Sequence, residues 1–197
     1  MNNPDTLGYI ASSIIMIVYV TYLIQVVRGQ STPNPATWLI WITVLTLNTV
    51  TFFLTVKNIP ICLISLMGSL NSLTIFLYSL RKKKLTGLGH LEIFILILTA
   101  IIGLVWYLTS NSGLANALIQ IILIISFWPT LNGLIKGTAK EKSVPWLLAV
   151  LAYTFTLSAV LINPNSDYNY VELAFPMVNG ILGNGSIAVL AILKNKT

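Results

Sequence analysis

Charge is scarce in this chain. Five acidic and eleven basic side chains among 197 residues leave 8% of positions charged, while 56% are hydrophobic and the mean hydropathy is +0.85. A water-soluble domain needs a polar surface that this composition does not supply; in lipid, an apolar surface is the requirement. The lone cysteine, Cys62, excludes a disulfide framework and leaves the redox compartment unread. The lone histidine, His90, forms a His-x-Glu string with Glu92, too sparse for a zinc site. No Ser-His-Asp set, P-loop or glycine-rich nucleotide fingerprint occurs, so neither an enzyme nor a cofactor is expected. No lysine stands midway along the last apolar run, which argues against a retinal Schiff base. The acids fall near helix starts (Glu92, Glu172) or in terminal and loop regions (Asp5, Glu141, Asp167). No carboxylate is therefore expected inside the bilayer to couple transport to protons.

What remains is a succession of long apolar runs. They predict seven membrane-spanning helices, at about Leu7–Val27, Ala36–Val56, Pro60–Leu80, His90–Leu108, Leu114–Ile135, Val144–Ile162 and Val171–Leu193, each near the ~20 residues that a ~30 Å hydrocarbon core demands. Met1 to Asp5 carries no basic stretch, so the first run reads as a retained helix rather than a signal peptide. Ten of the eleven basic residues (Arg28, Arg81 to Lys84, Lys136, Lys140, Lys142, Lys194 and Lys196) fall in every second gap between spans, and only Lys57 lies in the other set. Cytoplasmic loops carry an excess of Lys and Arg, which places the N-terminus outside and the C-terminus in the cytoplasm. The net charge of +6 thus reads as topology and attraction to anionic inner-leaflet lipids, not as a nucleic-acid surface.

The chain also repeats itself. Arg28-Gly29 and Lys136-Gly137 each close a span, Trp38-Leu39 and Trp146-Leu147 each open the next, and both pairs are separated by 108 residues. The third and seventh spans correspond at an offset of 113, which matches Asn71 to Asn184 and Arg81 to Lys194. The fourth span has no counterpart. The expected organisation is a triple-helix repeat (residues 1–84), an inversion linker helix (85–110, opening with a short glycine-containing stretch at 85–89) and a second triple-helix repeat (111–197). One intervening helix makes the two repeats parallel.

This layout resembles the SWEET and PQ-loop superfamily of membrane transporters over nearly the whole chain. The second repeat carries the proline-led loop of that family in Trp128-Pro129-Thr130-Leu131-Asn132-Gly133 and the basic entry into the next helix at Lys142-Ser143-Val144-Pro145-Trp146. In the first repeat Thr21 replaces the proline, Tyr22 and Thr130 occupy the positions of the family's glutamine, and prolines appear later, at Pro33 and Pro35. The resemblance implies solute binding by an asparagine on the third helix of each repeat, and Asn71 and Asn184 fit that pair. Asn179, after Pro176, competes with Asn184; five residues apart, the two cannot face one point in an undistorted helix.

Depth adds Asn48, which lies near mid-span with Asn71 and Asn184 at ~1.5 Å rise per residue. Each of these amides needs a partner in the bundle or a water-filled cavity. The plainer role is interhelical hydrogen bonding, worth ~0.6 to 2 kcal/mol, and for Asn48, whose counterpart is Thr156, it competes strongly. Trp41 and Trp128 are expected to face a cavity. Trp38, Trp146, Trp106 and Tyr107 are expected in the headgroup belt, and Phe52 and Tyr153 are read first as packed aromatics. Pro129, Gly183 and Gly185 are candidate hinges, with static packing as the alternative. Together these features lead to the expectation of an all-α membrane carrier that moves a small neutral polar solute, a sugar first, by alternating access without ion coupling. A membrane receptor or assembly factor that binds a peptide or protein is the alternative. The expected partners are the solute, the bilayer and, at most, further copies in a homo-oligomer.

Overall fold

A computed structural model describes residues 3–82, 88–166 and 170–194. Lys83, Lys84, most of the 85–89 stretch, Asp167 and Lys196 lie outside the described residues. Seven helical segments are long and apolar enough to cross a membrane, and every regular element among the described residues is helical. These are α1 (Pro4–Val27), α2 (Pro35–Val56), α3 (Ile59–Lys82), α4 (His90–Thr109), a fifth span built from α5 (Ser112–Ser126) and α6 (Trp128–Ile135), α7 (Ser143–Ile162), and a seventh span. The seventh runs through α8 (Tyr170–Ala174), a π-helical segment (Phe175–Gly183) and α9 (Asn184–Lys194).

Local chemistry sets the ends. Asn3 and Asn34 each precede a proline at the first helical position, and their side chains accept from the amides of Asp5 and Ala36 at 3.0 and 3.1 Å. Asn111 caps α5 through the amide of Leu114 at 2.9 Å. Gly29 and Gly137 end the first and fifth spans at φ values of 69° and 71°, left-handed positions that favour glycine. They too are 108 residues apart.

The fifth span is not one continuous helix. Pro129 has no amide to continue the ladder, and α5 stops at Ser126, with Phe127 between it and α6. The seventh span departs further from regularity, since its π segment widens the backbone for nine residues.

Packing brings α3 against both α1 and α2, and the seventh span against both α7 and the fifth span. Across the middle of the molecule α1 packs on α7, and α2 on α5. The fourth span leans on α2 and α5 from the outside, with only 17% of its most apolar stretch buried. One apolar core fills the centre around Ile40, Val44, Phe52, Ile64, Ile119 and Phe175. A second, more aromatic cluster lies nearer the end that carries Arg28, Lys136 and Lys140, called here the basic end. At the opposite end Asn58 donates to Asp5 at 3.0 Å.

Candidate functional site

Two cavities meet at the aromatic cluster. The larger, about 500 Å³, is a vestibule between the loop after α1 and the loop after α6. Its walls include Thr32, Pro33 and Asn34 from the first loop, Pro129, Thr130 and Gly133 from α6, and Glu141. The smaller, about 60 Å³, lies deeper and is lined by Asn71, Asn179 and Asn184 among apolar neighbours. Tyr22, Trp38, Trp41 and Trp146 line both, so they form the partition. Their rings interlock: Tyr22 to Trp38 at 5.3 Å, Trp38 to Trp41 at 5.8 Å, Trp41 to Trp146 at 6.2 Å and Tyr22 to Trp146 at 5.9 Å between centroids. The vestibule falls in the range of small-molecule sites. The inner chamber has room for little more than ordered water.

The chamber brings together all three asparagines of the third and seventh spans. Asn179 and Asn184 were expected to exclude one another on a regular helix; the π segment removes that conflict. Its wider turn brings residues five apart onto one face, and Asn184 Nδ2 donates to the carbonyls of Asn179 and Gly180, at 3.0 Å each. Asn184 therefore satisfies carbonyls of the irregular turn as well as lining the chamber. Asn71 Oδ1 and Asn179 Oδ1 are buried and accept no hydrogen bond. Two unsatisfied acceptors in one small space call for an occupant that donates.

Several expectations are corrected. Asn48 has the depth of Asn71 but a different azimuth, and it does not reach the chamber. It is fully buried between α2, α3 and α5, where it donates to Ser65 Oγ at 2.8 Å and accepts from Asn116 Nδ2 at 3.1 Å and Gln120 Nε2 at 2.8 Å. Trp128 is 53% exposed and lines neither cavity. Trp41 does face both, and its Nε1 donates to the carbonyl of Ser126 at 3.3 Å, beside the break in the fifth span. Trp38 and Trp146 are buried in the partition rather than set in a headgroup belt, because the two loops fold over the helix ends they mark. Trp106 packs partly against the core, whereas Tyr107 is exposed. Phe52 and Tyr153 both pack on Phe175, and Tyr153 also lines the chamber.

The candidate hinges divide. Pro129 lies at the break and lines the vestibule. Gly183 and Gly180 let the seventh span lie directly on the rings of Phe127 and Tyr153, where a Cβ would collide. Gly185 meets only Val150 at 3.8 Å from an added Cβ, an ordinary contact.

Glu141 lies in a loop, as its place in the sequence implies, yet only 5% of it is exposed. The 140–142 turn is drawn inward by a reciprocal pair. The amide of Thr32 donates to the carbonyl of Lys140 at 3.0 Å, and the amide of Lys140 donates to Thr32 Oγ1 at 3.0 Å. The carboxylate then accepts from Tyr22 Oη at 2.9 Å and from Trp146 Nε1 at 3.3 Å. Burial pushes its pKa up to about 7, against the pull of hydrogen bonds from Tyr22, Trp146 and Ser31. Glu172, expected near a helix start, is also buried and accepts from Ser166. Chain position alone gave no sign of either burial. Asn116 and Gln120 were missed as well, although polar residues four apart in an apolar run mark one helix face.

Three pairs among the vestibule residues stand 108 apart: Tyr22 with Thr130, Pro33 with Glu141, and Trp38 with Trp146. No family model, curated protein or solved structure matches this chain.

Proposed function

We propose that the protein is a carrier of the SWEET-like type that moves a small neutral polar solute, a sugar first, by alternating access between two parallel triple-helix repeats. The observation that carries this reading is the chamber: Asn71 and Asn179 present buried, unsatisfied acceptors to it, and four interlocking rings, in tilted and edge-on contact, separate it from a vestibule of ligand size. Hydroxyl groups donate to such acceptors, and sugar faces suit aromatic walls. The proposed repeats are supported by the matched left-handed ends at Gly29 and Gly137, by the Thr32–Lys140 pair, and by the exchanged packing of α1 on α7 and α2 on α5. With the basic end in the cytoplasm by the charge rule, the vestibule opens inward and the N-terminus lies outside.

Alternating access would require the partition to part while the opposite end closes. The expected absence of ion coupling rests on spans without a mid-span carboxylate; Glu141, in a loop, and Glu172, at a helix start, leave that intact, but both are buried and so offer acids to the protein interior. A thermal-shift screen with a hexose, a disaccharide, a nucleoside and a neutral amino acid tests the reading. One of these probes raises the melting temperature by mass action, and Asn71→Ala abolishes the rise without lowering the melting temperature of the free protein. A response undiminished in both Asn71→Ala and Asn179→Ala would exclude the chamber as the site. Asn184→Ala is a poorer test, since it also strands carbonyls of the π segment.

A further inference from the structure

The solute site leaves the buried acid Glu141 unused. Glu141 joins the two halves of the molecule: one oxygen accepts from Tyr22 on α1 and the other from Trp146 on α7. Both donors belong to the four-ring partition. The carboxylate is itself a wall of the vestibule and so lies on the route by which water reaches the partition. Charge-assisted bonds are roughly twice as strong as neutral ones, so the ionised form holds both rings in their closed positions.

We propose that Glu141 is a proton-binding site that gates passage between the vestibule and the asparagine chamber and thereby links solute movement to protons. The proton comes from vestibule water and adds to one carboxylate oxygen; no other covalent bond forms or breaks. The oxygen that takes it becomes a donor and a poorer acceptor. Tyr22 adapts, because a phenol hydroxyl both donates and accepts, but an indole N–H only donates. Whichever oxygen is protonated, the Trp146 bond loses its charge assistance and gains nothing in return, so Trp146 is the ring that is loosened. Among the described residues, Tyr22 on α1 is the titratable group bonded to Glu141 and Ser31 is a further hydrogen-bond partner; the vestibule walls contributed by α2, α6 and α7 carry no charge. Lys140 and Lys142 flank it in sequence, and both are exposed, as are Arg28 and Lys136 at the ends of α1 and α6. Burial of the carboxylate brings its titration to about pH 7, within reach of ordinary compartments.

The link to a solute rests on the carrier reading, but the proton site does not, so it is tested without solute. The full chain in detergent micelles, in a His90→Gln background that removes the only imidazole, is followed by tryptophan fluorescence from pH 5 to pH 9. A single-proton transition near pH 7 is expected. It disappears in Glu141→Gln and moves to higher pH in Tyr22→Phe, which deletes a bond that favours the charged form. A transition that is absent, or that persists unchanged in Glu141→Gln, overturns the proposal. If Glu141→Gln fails to fold, the Tyr22→Phe midpoint decides: an unshifted midpoint overturns it.

Gating has its own readout. A cysteine placed at Ala149, which lines the chamber, in a Cys62→Ser background, reacts with methyl methanethiosulfonate at pH 8. The reaction is several-fold faster when Glu141→Gln is also present, and equal rates exclude the gate. Failure of every solute probe to bind, with the titration intact, would instead refute the carrier reading alone.

Discussion

Thr32 and Lys140 bond each other through two hydrogen bonds of 3.0 Å, one running in each direction. They are also 108 residues apart, the spacing that relates the first two spans to the fifth and sixth. In a two-fold arrangement only a residue beside the axis can touch its own counterpart. The proposed axis between the repeats therefore passes between these two loops, through the mouth of the vestibule. Glu141, next in the chain, stands where the first loop has Pro33. In the proposed arrangement the acid departs from the symmetry at the point where the two repeats would meet.

The orientation is open to a direct test. Lys140→Cys, in a Cys62→Ser background, is expected to be shielded from an impermeant thiol reagent added outside cells, whereas Asn165→Cys is labelled. Both native positions are exposed in the fold, so shielding reports the membrane rather than packing. The opposite pattern would invert the topology.

Asn48 and Asn71 should separate by what each loses. Asn48→Ala removes the acceptor shared by Asn116 and Gln120 and the donor to Ser65. Stranding buried amides costs about 1–3 kcal/mol, which a lowered melting temperature reports. Asn71→Ala deletes an oxygen that already lacks a partner, and the melting temperature of the free protein stays within error. Equal losses would mean that Asn71 too is structural.

The glycines of the π segment give a graded series. Gly180→Ala and Gly183→Ala drive a methyl into Tyr153 and Phe127, an overpacking expected to cost about 1–3 kcal/mol each. Gly185→Ala, with Val150 at an ordinary distance, is tolerated. Thermal unfolding of the three variants in one detergent checks the order.

Stability should also depend on pH with a definite sign. Glu141 titrates near 4.5 in the unfolded chain and near 7 in the fold, so between these values the folded state binds more protons. Stability therefore falls as the pH rises from 4.5 through about 7. Melting temperatures across this window are expected to decline in the wild type and to flatten in Glu141→Gln.

The spans were legible because hydropathy and the spacing of Arg28, Arg81, Lys136 and Lys194 register the solvent around each segment. The break at Phe127 announced itself through Pro129. The π segment did not, since widening a turn leaves composition unchanged, and Pro176 with its nearby glycines is compatible with an ordinary helix. Asn48 shows the limit of depth as a guide: rise per residue fixes height, but azimuth depends on how neighbouring helices roll. Trp38 and Trp146 were misplaced because a helix end reads as a membrane interface unless a loop covers it. Glu141 was the hardest to foresee, as its burial depends on the Thr32–Lys140 pair, a contact between loops with no periodic trace.

The four rings between vestibule and chamber also bear on how any measured affinity is read. On the proposed function, a solute would enter only the fraction of molecules in which Tyr22, Trp38, Trp41 and Trp146 have parted, so its apparent dissociation constant would be the intrinsic one divided by that fraction. If one molecule in roughly a hundred is open, binding looks about a hundredfold weaker than the asparagines alone would give. A substitution that loosens the rings can then tighten binding at equilibrium while removing contacts, and the strongest ligand need not be the one most readily carried.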